Sequence, residues 1–444
     1  MKDPDTLITE YQKAGDYILG IPKFAGKNSP EDTGALLALL CGDAFAPERA
    51  DGPKIIHIAG TNGKGSTSAY LSSILMEAGY KTGLFTSPHL SSLRERIRIN
   101  GEMIGREDFV SAFRAVLRAT QEAKEKGIAS HPSYFEFLFL MAMWYFAKKG
   151  AGYLVLETGL GGRLDATNSI EKKDLCVLTN IDYDHTEYLG DTIEKIAYEK
   201  AGILMKGVPV VFDRSSSEAA GVIEKRAAEL NCRCYGLKPE DISLSTVNKE
   251  GIDFCLSCEY YRSVTLKIKQ IAAYQAKNAA LAALGAHILA DPKIGDEEIR
   301  KGLLSAQWPG RFEEILPGLI LDGAHNPDGI RAFLSSVKAL PCEGRRTLIF
   351  GVVSDKRYEE MAGLILESGL FDEIDLVPVE GPRGLSTKAL EKAFSGAGGP
   401  SIKVFDNAKE AVSDCLLRRG GNDSVYAAGS LYLIGELRSA FGKE

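Results

Sequence analysis

A lysine and two hydroxyl residues sit among three glycines in Gly60-Thr61-Asn62-Gly63-Lys64-Gly65-Ser66-Thr67, directly after the apolar run 55–59. Glycines without Cβ atoms let successive N–H groups turn toward phosphate oxygens at a helix start near Ser66, and the Lys64 ammonium is placed to bridge the β- and γ-phosphates of a nucleoside triphosphate. The usual P-loop puts four residues between its first glycine and Gly-Lys, and a hydroxyl directly after the lysine. Here the spacer is Thr61-Asn62, and Gly65 precedes Ser66. The cradle survives, but the spacing departs from the commonest GTPase and ATPase loops. A ligand-free turn is the plain alternative, and it gives a lysine flanked by glycines nothing to do.

Other polar residues follow apolar runs in the same way. Thr86-Ser87-Pro88-His89-Leu90 follows 82–85, Glu157 to Asn168 follows 153–156, and Asn180 to Thr186 follows 175–179. If these runs are parallel strands, their carboxyl ends form one edge of a sheet, where ligands of open α/β sheets gather. A hydroxyl, a carboxylate and an imidazole then converge on one cation beside the triphosphate. Glu157 is the sharpest case, because a carboxylate ending an apolar strand is costly unless it is paired or bound to metal. A salt bridge to Arg163 is its alternative. His185, between Asp184 and Thr186, reads equally as a hydrogen-bonded loop histidine.

The elements that must hold these residues are legible as βα units. Strands are expected at 55–59, 82–85, 153–156, 175–179 and 208–212, each an apolar run suited to a sheet covered on both faces. Helices are expected at 66–79, 108–126 and 133–149. The stretch 234–269 changes to alternation around Asn248-Lys249-Glu250-Gly251 and reads as a small antiparallel meander, followed by an alanine-rich helix over 272–290 and a short helix from Asp296. After Trp308-Pro309-Gly310 the rhythm restarts, with strands at 319–322, 347–350, 374–378, 402–405 and 424–428. The expected class is α/β: a P-loop-type parallel-sheet ATPase domain over 1–306, then a smaller Rossmann-like domain over 307–444, with a ligand cleft between them.

Length and composition agree. At 444 residues, with 45% apolar and 25% charged side chains, the chain needs two or three domains. A net charge of −7 argues against nucleic acid or an anionic membrane as the main partner. Met1 to Asp5 is not followed by the apolar segment of a signal peptide, and the longest apolar run, 137–147, is shorter than a membrane span, so a cytoplasmic protein is expected. Cys232, Cys234, Cys255 and Cys258 have spacings that suggest zinc, but no local histidine joins them; scattered reduced thiols are the expected reading.

Ser87-Pro-His-Leu90, Glu95-Arg-Ile-Arg-Ile-Asn-Gly101, Leu156-Glu-Thr-Gly-Leu-Gly-Gly-Arg-Leu-Asp-Ala-Thr-Asn168, Asp184-His-Thr-Glu-Tyr-Leu-Gly-Asp-Thr192, Glu199-Lys-Ala-Gly-Ile203, Trp308-Pro-Gly-Arg311 and Leu321-Asp-Gly-Ala-His-Asn-Pro327 stand in order around the phosphate loop. With Gly429-Ser-Leu-Tyr432 they resemble the folylpolyglutamate synthase and dihydrofolate synthase family, a branch of the Mur ligases. The resemblance runs from about residue 16 to the end. Thr158 and Tyr183 depart from the common pattern without removing a ligand.

The resemblance implies that Gly60, Thr61, Asn62, Gly63, Lys64, Gly65 and Ser66 bind ATP, with Asn278, Arg311 and Asp322 contacting the nucleotide. It implies magnesium held by Ser66, Ser87, Glu157 and His185. It makes Lys200 the lysine that the family carbamylates, a further metal ligand in that form; an exposed helix lysine is the alternative. Lys64, Lys200 and His325 are the implied catalytic residues. The implied reaction joins L-glutamate to a folate, and in some members to dihydropteroate, through an acyl phosphate; a monomer is expected. Ile18 to Phe24 and Ser133 to Glu136 are candidates for seating the pterin. Another Mur ligase, a nucleotide switch without ligase chemistry and a dinucleotide oxidoreductase are the rival readings; the last lacks Gly-x-Gly-x-x-Gly at this loop.

Overall fold

The computed structural model describes residues 4–22, 28–381, 383–395 and 399–442. Lys23 and Phe24 of the expected pterin-seating segment lie outside them. The first sheet contains β1 (Lys54–Ala59), β2 (Thr82–Phe85), β3 (Ile97–Ile99), β4 (Glu102–Met103), β5 (Tyr153–Glu157), β6 (Leu175–Leu178), β7 (Val210–Asp213) and β8 (Cys234–Leu237). Their order is β4-β3-β2-β5-β1-β6-β7-β8, parallel from β2 to β8, with β3 and β4 added antiparallel at one edge. This order decides the site. The phosphate loop leaves central β1, Glu157 ends its neighbour β5, and Asn180 follows its other neighbour β6.

The five expected strands of this sheet are present within two residues at each end. Two features differ. The short β3 and β4 carry arginine and glutamate among their few apolar residues, too weak an alternation to read. Cys234–Leu237 belongs to the main sheet, paired with β7, so the meander starts only at β9 (Ile242–Asn248) and continues through β10 (Gly251–Cys258) and β11 (Tyr261–Ile268).

Alternate residues of β10 and β11, including Phe254, Leu256, Leu266 and Ile268, face the same core as helices Lys64–Glu77, Tyr274–Ile288 and Asp296–Ser305. The alanines of Tyr274–Ile288 are buried all round because this helix is enclosed by the phosphate-loop helix, the sheet and the meander. Small side chains permit that approach: a Cβ at Gly302 would run into the backbone of Ile74. On the opposite face, helices Pro4–Leu19, Pro30–Cys41, Arg106–Glu125 and Tyr134–Lys149 bury a second core around Phe85, Phe109, Phe137 and Phe139. Each fully buried aliphatic or aromatic side chain there contributes roughly 1.5–3 kcal/mol of transfer free energy.

The second sheet comprises β12 (Glu313–Leu316), β13 (Leu319–Leu321), β14 (Arg346–Phe350), β15 (Glu373–Leu376), β16 (Ser401–Val404) and β17 (Ser424–Ala428), in the order β12-β13-β17-β14-β15-β16. All pairs are parallel except β12 with β13, a hairpin strand the sequence reading does not anticipate. The loops after β13 and β14 reach the strand-end loops of the first sheet, Asn326 meeting Asn62 and Lys356 meeting Asp184.

Candidate active site

One cavity of about 230 Å³ lies between the two sheets, and it gathers Gly60 to Ser66, Ser87, Glu157, His185, Lys200, Asn278, Arg311, Asp322 and His325. All of the residues expected from the sequence to bind nucleotide, hold metal or act in catalysis therefore line a single space. It also takes in Asn180, Asp184, Tyr274, Lys277 and Asp328.

The loop's glycines are there for packing as much as for phosphate. Gly63 caps helix Lys64–Glu77 at φ 90°, and a Cβ on it would meet the Asn278 carboxamide; a Cβ on Gly65 would stand 2.6 Å from Cζ2 of Trp308. The unusual Gly-Lys-Gly spacing thus has a local cause: the indole of the linker between the sheets occupies the place of a side chain at 65. The Lys64 ammonium folds back on the loop, donating to the carbonyls of Gly60 (3.0 Å) and Thr61 (3.1 Å). Burial lowers its pKa, against the pull of Glu157 and Asp184.

Glu157 is buried at the end of β5 and accepts the Ser87 backbone N–H at 2.9 Å. Burial raises its carboxyl to about 6, with Lys64 the main opposing charge. The alternative partner, Arg163, instead pairs with Glu199 at 2.9 Å. Lys200 is no exposed helix lysine: it is 4% exposed, and its Nζ donates to the Gly60 carbonyl at 2.6 Å. Burial, reinforced by neighbouring Lys64, depresses its pKa well below that of a free lysine. The helix Ile193–Ala201 carries it inward because Ile196, Ala197, Lys200 and Ala201 share the buried face.

His185 opens a short helix in the left-handed region, φ 51°, and loss of hydration moves its imidazole down to about 4. His325 is brought down to about 4 by the same cause; its Nδ1 lies 2.7 Å from the Gly323 carbonyl, so Nδ1 carries the hydrogen and Nε2 offers a lone pair. Asp322 is buried, and burial raises its carboxyl pKa; it accepts the Tyr274 hydroxyl at 2.6 Å and the Ala324 N–H at 2.7 Å. Arg311 Nη1 donates to the Gly310 carbonyl beside it.

The sequence reading misses a polar seam between the sheets. Asp184, despite burial, is held far below the ordinary carboxylate range by Lys356, whose Nζ lies 2.7 Å away, and by the two histidines. Asn62 turns its carboxamide from the phosphate side to Asn326 and Asp328 of the second sheet's first helix. Gln275 donates to the Ser66 hydroxyl at 3.2 Å and accepts from Asn278 at 3.0 Å. Applying the strand-end rule to the second sheet would have pointed to Lys356, which follows β14. Gln275 carries no comparable signal, being one polar residue in an alanine-rich helix.

The donors suit a hard divalent cation: a buried carboxylate, the hydroxyls of Ser66 and Ser87, and an imidazole, with the Glu157 carboxylate held at the cavity wall by a single backbone N–H. Among the described residues no group of three His, Cys, Asp or Glu side chains is disposed as a metal cluster. Cys232 donates its thiol to the Met205 carbonyl, and Cys255 Sγ lies 3.1 Å from Ser263 Oγ. No helix among the described residues is long and apolar enough to cross a membrane.

The Mur ligase middle domain matches residues 58–286, and the Mur ligase glutamate ligase domain matches 310–431. The chain is 34% identical over 446 aligned positions to dihydrofolate synthase/folylpolyglutamate synthase of Bacillus subtilis, covering 97% of this chain and 99% of the relative. Its structure superposes with a TM-score of 0.84 on Escherichia coli FolC in complex with DHPP and ADP, at 28% identity over 98% of this chain and 97% of the other. A bifunctional folylpolyglutamate synthase/dihydrofolate synthase with Mn, AMPPNP and L-glutamate bound gives a TM-score of 0.82 at 30% identity, covering 97% and 98%.

Proposed function

The chain belongs to the folylpolyglutamate synthase and dihydrofolate synthase family of Mur ligases, and from that premise we propose how its residues divide the work of joining L-glutamate to a folate with ATP. The observation that carries the proposal is the convergence of the phosphate loop, Glu157, His185 and Lys200 with Asp322 and His325 of the second sheet on one cavity. We take 1–306 as the nucleotide domain and 307–444 as the glutamate-ligase domain.

A carboxylate does not acylate an amine at neutral pH, because its leaving group would be oxide. Transfer of the γ-phosphoryl group of ATP to the folate carboxylate supplies a better one, giving ADP and an acyl phosphate; the glutamate nitrogen then attacks and phosphate departs. Lys64 leaves the Gly60 and Thr61 carbonyls and turns its ammonium to the β- and γ-phosphates, while the loop N–H groups hold them in line. Asn278, Arg311 and Asp322 fix the rest of the nucleotide from the first sheet, the linker and the second sheet. Ser66, Ser87, Glu157 and His185 would hold magnesium, which when bound supplies charge neutralisation for the transferring phosphoryl group.

Lys200 has the properties carbamylation needs. Its buried amine carries a larger neutral fraction than a surface lysine, and addition of that neutral amine to carbon dioxide with loss of one proton gives a carbamate, which would be a further anionic ligand beside the loop. His325, neutral and with Nε2 free to accept, takes a proton from the glutamate nitrogen once the neutral amine has added to the acyl carbon. The second domain, seated over the cavity, excludes water from the acyl phosphate. We place the reaction in the cytoplasm, in a monomer, with dihydropteroate as a second acceptor.

The test is incubation with ATP, magnesium and labelled glutamate, offering tetrahydrofolate and dihydropteroate in separate reactions, with product masses as the readout. Addition of one glutamate to tetrahydrofolate is expected; incorporation independent of any acceptor would overturn the assignment. In Lys64→Ala, phosphate release falls by about 10³-fold. Release at the original rate would show the loop's role misassigned. Intact-protein mass at raised bicarbonate tests the carbamate, expected on Lys200 and absent from Lys200→Arg.

A further inference from the structure

Asp328 lies in the first turn of helix Pro327–Ala339, which opens with Asn326 as N-cap and Pro327 at the first position. The helix dipole favours a carboxylate there. Yet the carboxylate reaches across the domain seam: Oδ2 accepts from the Asn62 carboxamide and from the Asn180 carboxamide, both at 2.6 Å. Asn62 is a phosphate-loop residue, and Asn180 follows β6. Both donors therefore belong to the first domain, and the acceptor to the second.

The surrounding contacts fix Asn62 in this role. Its Oδ1 accepts from Asn326 Nδ2 at 3.1 Å, and its Nδ2 donates to Asn326 Oδ1 at 3.2 Å as well as to Asp328. Both ends of the Asn62 carboxamide are thus engaged across the seam. The loop backbone just before Asn62 is held by Lys64, through the carbonyls of Gly60 and Thr61. When Lys64 turns toward a triphosphate the Thr61 carbonyl is released, while Lys200 keeps that of Gly60, and the peptide joining Thr61 to Asn62 is free to change its torsions.

We propose that Asp328 is a positioning residue of the ligation, clasping the phosphate loop through Asn62 and the β6 loop through Asn180, so that filling of the loop by a triphosphate sets the seating of the glutamate-ligase domain. It touches neither substrate nor reacting atoms and acts through Asn62. One carboxylate oxygen accepts both amide donors, and its negative charge strengthens both bonds. An asparagine oxygen in its place accepts without that charge, and its own N–H groups take the position of the second oxygen. The inference rests on the ligase reading for its kinetic consequences but not for its geometric one, which needs only nucleotide.

The experiment compares the full-length protein with Asp328→Asn, which keeps the side-chain volume and the helix start, after thermal melts establish that both are folded. Two measurements separate positioning from bulk structure. The first is the radius of gyration by solution scattering with and without a nonhydrolysable ATP analogue. The change that nucleotide produces in the wild type is expected to be lost in Asp328→Asn. The second is the kinetic split: dissociation of the ATP analogue within about twofold of wild type, with the KM for glutamate raised about tenfold or more, the size expected when one charged hydrogen bond is lost. In a background carrying both Asn62→Ala and Asn180→Ala, adding Asp328→Ala is expected to change the effect by less than about twofold. Wild-type scattering changes and glutamate KM in Asp328→Asn, or a larger added effect in that background, overturn the clasp. A wild type that ligates no glutamate overturns the function assigned above, while the scattering comparison still decides this inference.

Discussion

Two buried carboxylates at opposite ends of the first sheet differ in how fully they are satisfied. Asp291, beside the starting ends of β1 and β5, takes the Lys54 ammonium at 2.7 Å, the Tyr80 hydroxyl at 2.5 Å, the Tyr153 hydroxyl at 2.8 Å and the Lys293 N–H at 3.1 Å. Burial alone would raise its pKa, but these partners hold it well below the usual carboxylate range. Glu157, at the finishing end of β5, receives the Ser87 N–H, and burial wins. The same chemical group is a structural pin at one pole and an under-supplied acceptor at the other. Saturation of its hydrogen bonds, rather than burial, separates a carboxylate that holds the fold from the one we propose for a cation.

The contrast fails if the two respond alike to substitution. Glu157→Gln is expected to lower ATP-dependent phosphate release by about 10³-fold, roughly 4 kcal/mol of transition-state stabilisation, while its melting temperature stays at or above the wild-type value. Thermal melts and phosphate assays on one preparation check both halves. Asp291→Ala is expected to do the reverse, costing about 2–3 kcal/mol in urea unfolding with kcat unchanged, because three side-chain donors and the Lys293 N–H lose a charged acceptor. A fall in kcat with stability intact would break the comparison.

Acid sharpens it. Asp291 has a folded pKa below its unfolded value near 3.8, so its stabilisation is fully present above about pH 4 and is lost as pH falls through the folded pKa. The stability gap between wild type and Asp291→Asn should therefore be flat from neutrality down to about pH 5 and shrink below about pH 4. A gap that grows on acidification would contradict the ionised pin. Smallest in effect, Tyr80→Phe removes one of the donors and is expected to cost about 1 kcal/mol, read as a shift in the urea midpoint at constant slope.

The Glu157 pole was legible in the sequence and the Asp291 pole was not. Glu157, Ser87 and the phosphate loop each stand directly after an apolar run, so a rule about strand ends finds them without knowing the strand order. Asp291 precedes Pro292 and reads as the punctuation of a helix end; its partners, Lys54, Tyr80 and Tyr153, come from three separate elements and meet only once the sheet is assembled. The same limit hides Asp328 and the membership of Cys234–Leu237 in the main sheet, both of which depend on which segments become neighbours. Lys200 stands between these cases: its motif marked it, while its depth came from the inward face of its helix.

Trp308 lies against Gly65 in the phosphate loop, and the chain contains one other tryptophan, Trp144. The contact gives the molecule a built-in optical gauge. In a Trp144→Phe background, emission comes from a single indole pressed on the glycine loop, so quenching titrations with added nucleotide can follow that loop in real time without any attached dye.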